Sequence, residues 1–138
     1  MSDLSTQMNI VKAALAAMFP LRIVTRDLLD FSMRKQSELE SGIYTVLSSD
    51  EGGYSNNMGR EAAYGGHNIM ILGQLKLAEN VAPHEVEDAE GVMIDEIKAL
   101  MRNVPAGINA LILKRWRQSQ QMESPFGWVM FELEMMGG

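Results

Sequence analysis

At 138 residues and 15.4 kDa the chain has room for one domain, since domains run to about 100–200 residues. Its content of 46% hydrophobic and 22% charged residues is that of a globular protein and excludes global disorder. With no cysteine, disulfide frameworks, thiolate zinc sites, iron–sulfur clusters and cysteine nucleophiles are excluded together. The net charge of −6, from 12 basic and 18 acidic residues, disfavours non-specific attraction to DNA or anionic lipid. No run approaches the roughly 18 apolar residues of a membrane span, and MSDLSTQM lacks the basic start and apolar block of a signal peptide. A soluble, cytoplasmic domain is expected.

Residues 3–19 form the first expected helix. Leu4, Met8, Val11, Leu15 and Met18 recur at three- and four-residue steps, Ser2 can cap the start, and Pro20 stops it. Leu21 to Leu28 reads as a strand with an imperfect period. The polar stretch Ser32–Ser41 is a connection with room for one helical turn, and Gly42 opens the strand Ile43–Leu47. His67–Leu77 is a further strand. Residues 84–103 give the second main helix: Val86, Ala89, Met93, Ile97 and Leu100 lie in one arc, with Asp88, Asp95, Lys98 and Arg102 opposite. Glu85, Glu87, Asp88 and Glu90 crowd the positive end of its dipole, and Lys98 and Arg102 lie at the negative end. Gly91 falls on the outer face, where close approach of another chain or chance would account for it.

After Pro105 and Gly107, Ile108–Leu113 is ambiguous between a helical turn and a strand. Leu113–Gln121 and Phe126–Met135 read as strands joined by a turn at residues 122–125. Val129, Phe131, Leu133 and Met135 make a core face, and Trp128, Met130, Glu132 and Glu134 make the other. The expected fold is one α+β domain over residues 1–138. A small mixed, mainly antiparallel sheet of four to five strands is flanked by two main helices in the order α-β-β-β-α-β-β.

Residues 50–66 fit no period. These 17 residues carry five of the twelve glycines, together with Asn56, Asn57, Tyr54 and Tyr64. Loops beyond about 12–15 residues are uncommon unless they carry function or are disordered. Lying between two strands, this segment is expected to be a long hairpin tip that makes contacts. Candidate interface residues are Tyr54, Asn56, Arg60 and Tyr64.

Conventional chemistry has few carriers. His67 and His84 are the only histidines and belong to no metal-ligand spacing. The glycine-rich pieces match neither a P-loop nor a dinucleotide fingerprint, and no serine lies in GxSxG. No catalytic residue, cofactor or metal is expected, and a small enzyme built on His67 or His84 is the alternative. The acidic run Glu85–Glu90 is explained by helix capping and solvation. Lys114, Arg115, Trp116 and Arg117 interleave charge and aromatic surface, which can bind nucleic acid. A turn centred on residues 123–124 would instead set Arg115 opposite Glu132, and cross-strand pairing is the favoured explanation. Arg115 and Arg117 join the candidate interface residues. The methionines are mostly core filler.

Two stretches of this chain carry a resemblance to the tail terminator proteins of long-tailed phages, the group of minor tail protein U. The opening carries Phe19-Pro20, then IVTRDLLDF and the strand SGIYTVLSS. The end carries LKRWRQSQQMESPFGWVMFELEM, similar to the family's closing hairpin. Between them, EGGYSNNMGREAAYGG looks like terminators of transposable and related phages, and the likeness covers about residues 10–135. The resemblance implies helices against a small mixed sheet and a hexameric ring on the last ring of the tail tube. Such a ring stops tube growth and presents a surface to the head-tail connector protein. It implies a virion location at the head-proximal end of the tail, with host cytoplasm during assembly. Its expected partners are the chain itself, the tail tube protein and the connector, with DNA only passing through the lumen and no membrane. A connector adaptor or tube protein is the nearest alternative. Segment 50–66 is longer than in the lambdoid form.

Overall fold

A computed structural model describes residues 3–52 and 66–137 of the chain. The elements run α1 (Asp3–Met18), β1 (Ile23–Thr25), a 3-10 turn (Phe31–Met33), α2 (Gln36–Ser41), β2 (Ile43–Gly52) and β3 (Gly66–Lys76). They continue with α3 (Pro83–Arg102), β4 (Ile108–Gln118) and β5 (Phe126–Gly137). The strands form one mixed sheet in the order β1-β2-β3-β5-β4, with β1 parallel to β2 and every other pair antiparallel. This is the expected α+β architecture, with the connection before β2 holding a short helix.

Boundaries differ from expectation where the local signal was mixed. The strand expected over Leu21–Leu28 is only three residues long. The ambiguous Ile108–Leu113 is strand, with Ile108 and Leu111 buried against the core. β4 stops at Gln118 rather than Gln121, because Gln120 and Gln121 adopt left-handed φ values of 61° and 64° and turn the chain. The connection to β5 includes a cis Ser124–Pro125 bond. The Ser2 cap and the interface candidates Tyr54, Asn56, Arg60 and Tyr64 lie outside the described residues.

Helices α1 and α3 share one face of the sheet. Met8, Val11 and Leu15 of α1 and Val86, Met93, Ile97 and Leu100 of α3 are buried there with Tyr44, Ile71, Phe131 and Leu133. α3 begins with Pro83 at its first turn, and Glu85 accepts the Ala82 backbone N–H at 2.8 Å, a cap in the absence of a capping side chain. It is held down by a polar clamp as well as by apolar contact. Arg22 meets Glu96 through two bonds of 3.0 and 3.1 Å, and the Tyr44 hydroxyl donates to Glu96 at 2.8 Å. Burial first, and then the neighbouring carboxylate, keep the Tyr44 phenol protonated. Gly42, at φ 85°, is required at this junction: a Cβ there would lie 2.3 Å from Arg22 Nη1.

Among the described residues, the opposite face of the sheet is covered at one end only. Residues 27–41 cross it as a strap, fastened where Gln74 Nε2 donates to the Leu29 carbonyl and Arg34 donates to Thr45 Oγ1 and the Asp27 carbonyl. Phe31 packs on Phe126 with ring centroids 5.2 Å apart. Beyond the strap, Leu47, Met70, Leu72, Trp128 and Met130 remain half-exposed.

Candidate interaction surface

The open half of this second face is the surface that the described residues leave without a covering layer. Its two ends differ in chemistry. Next to the strap, Leu28, Phe31, Leu72, Trp128 and Met130 line an apolar groove of about 420 Å³. The carboxylates of Asp30 and Glu123 line it too, and both residues are exposed. Glu123 accepts the Trp128 indole N–H at 3.2 Å, which fixes the ring as one wall. Gln74 lies under the groove with only 3% of its surface exposed, and its Oε1 has no donor among the described residues.

At the other end, Asp50, Asn68, Lys114, Arg115 and Glu132 surround a polar hollow of about 450 Å³. Asn68 donates to Asp50 at 2.7 Å and accepts from Lys114 at 3.3 Å. Arg115 stands opposite Glu132 in the ladder and pairs with it through two hydrogen bonds. That bond holds the Glu132 carboxyl below its usual range and raises the guanidinium further. The cross-strand pairing expected from a turn at residues 123–124 is therefore present. Arg117 stands opposite Met130, is exposed, and joins none of the three ion pairs among the described residues. Trp116, 42% exposed, lies beside it on the opposite side of the strand.

The histidines are not brought together as a pair. His84 is exposed in the first turn of α3, whereas His67 is buried on β3 with Nε2 3.1 Å from Ser48 Oγ. The Ser48–His67 contact was not legible from spacing, because β2–β3 pairing creates it across 19 positions. Among the described residues no group of three or more side chains could hold a metal ion. No described helix is long and apolar enough to cross a membrane.

One assignment is overturned. Glu90, grouped with the solvated acids of α3, is fully buried. It accepts hydrogen bonds from Ser119 Oγ, from Gln118 Nε2 at 3.2 Å and from the Trp128 backbone N–H at 3.0 Å. Burial pushes its pKa up, and these donors oppose the shift. Gly127 makes room for it, since a Cβ there would lie 2.7 Å from Glu90 Oε2 and 2.7 Å from Val86 Cγ1. Glu90 thus bolts the β4–β5 hairpin, and with it the Trp128 wall of the groove, to α3.

No protein-family model matches this chain, and no curated protein matches it.

Proposed function

We propose that this chain is a structural subunit of a long-tailed phage, a tail terminator that caps the tail tube as a ring, stops its growth and offers a surface to the head connector. The observation that carries the reading is the resemblance of about residues 10–135 to terminator sequences, carried by the opening and the closing hairpin. A sheet with one half-open face supports it, since a ring subunit has surfaces that only its neighbours cover. The net charge of −6 suits a channel wall that lets DNA pass without adhering. On this reading the chain performs no catalysis, and its partners are itself, the tube protein and the connector.

Size-exclusion chromatography with light scattering, alone and with purified tail tubes, tests the proposal. A terminator stays a discrete species alone and appears as a ring at tube ends. Unlimited polymerisation would identify a tube protein instead, and binding to heads without tubes would identify a connector adaptor. The Ser48–His67 hydrogen bond favours one second reading, a small hydrolase, because a serine beside a base is two parts of an acyl-transfer site. Replacing His67 and His84 with alanine leaves capping intact on the first reading and abolishes activity on the second.

A further inference from the structure

The groove beside the strap selects the chemistry of its occupant. Its lining is mostly apolar, and the charged residues in it, Asp30 and Glu123, are both acidic and exposed. Trp128 presents an aromatic wall. Such a site fits a cationic side chain with a long apolar stem, which lays its methylenes on Leu72 and Met130 and its charge against the ring and the carboxylates.

The chain itself carries the complement. Of the cations on β4, Lys114 donates to Asn68 and Arg115 is held by Glu132, whereas Arg117 is exposed and outside those pairs. We infer that the groove receives Arg117 from a second copy of this chain, whose β4 edge lies across the Leu28–Trp128 groove. The inference rests on the ring reading and names the surfaces that meet. Arg117 stands opposite Met130, itself a groove residue, so donor and groove lie side by side on one sheet face of each copy. The bulge between Leu113 and Arg115 and the charges that follow it discourage simple strand-to-strand addition at this edge. Side-chain insertion is the mode that these features leave.

Charge reversal on the intact chain provides the test. Arg117→Glu and Glu123→Arg both change exposed side chains, and circular dichroism establishes that each variant folds. Each alone is expected to weaken self-association at least about tenfold by sedimentation or light scattering. An equimolar mixture restores it, because each reversed strip then meets a reversed groove. The double variant in one chain restores it as well. In a labelled sample, assembly shifts the Gln74 side-chain amide and Trp128 indole resonances. Wild-type association by both single variants overturns the inference, as does failure of the mixture and of the double variant to recover. The two readings fail separately. If the single variants still form rings on tubes, the groove contact falls and the terminator survives. If the wild type associates through the groove but caps no tube, the terminator falls and the contact survives.

Discussion

Glu90 occupies a position that helical geometry reserves for the core, in step with Val86, Met93 and Ile97. Its side chain is a carboxylate, so residue type groups it with the solvated acids of α3 while its position groups it with the core. The spacing 86, 90, 93, 97 was the available signal. With burial the largest influence, the folded state holds this proton more tightly than the unfolded chain does. The raised value fixes the sign: Glu90's contribution to stability is complete below the ordinary glutamate range of about pH 4 and declines as pH rises toward its folded value. Glu132 works in the opposite sense, losing its contribution on acidification, but its pair with Arg115 is exposed and weighs little. Chemical denaturation of Glu90→Gln between pH 4 and 8 should therefore show a flatter profile than the wild type. Identical slopes in the two proteins would remove Glu90 as the source.

At the scale of elements, the long periodic segments were legible and the short mixed ones were not. α1 and α3 fall within a residue or so of their expected bounds, because each has a continuous apolar stripe and a proline at one end. β5 is read equally well, since strict alternation from Val129 to Met135 admits one assignment. β1 shrinks because hydrogen bonding to β2 lasts only from Ile23 to Thr25, something that no local pattern encodes. The candidate surface was legible in part: the Arg115–Glu132 pair follows from turn position and register. The groove does not, because it needs the strap from residues 27–41 folded over β3 and β5. On α3, Gly91 has open space where a Cβ would stand, with nothing within 4 Å. Gly91→Ala is thus expected to raise the stability of the isolated chain by about 0.5–1 kcal/mol, through the helical preference of alanine. Thermal melting of the two proteins checks this. A loss of stability would mean that space at Gly91 is tighter than the fold shows. A gain together with failed ring formation would place a neighbour against this helix face.

For the whole molecule, the question is what completes a domain whose second sheet face the described residues leave half open. Of the loop expected at 50–66, β2 and β3 take up residues 50–52 and 66, so that residues 53–65 are what lies between the strand ends. β2 and β3 remain paired up to Gly52 and Gly66, which stand opposite each other in the ladder. The core contacts of both strands are made well below that point, by Tyr44, Val46, Ile69 and Ile71. With Gly52 and Gly66 paired, a two-residue turn has the right length to close the hairpin between them. Replacing residues 53–65 by Asn-Gly supplies the turn chemistry that antiparallel strands favour. The resulting protein should keep the helical and sheet signals of the wild type and its denaturation midpoint, while losing the ability to cap tail tubes. Electron microscopy of tails assembled with it would then show tubes of uncontrolled length. Tails of normal length would take Tyr54, Asn56, Arg60 and Tyr64 out of the contact and leave the open sheet face to carry assembly. If the shortened chain failed to fold, the segment would have a structural role that the ladder does not require. Tube length and folding are measured separately, so the assembly role of the segment and its part in stability are decided independently.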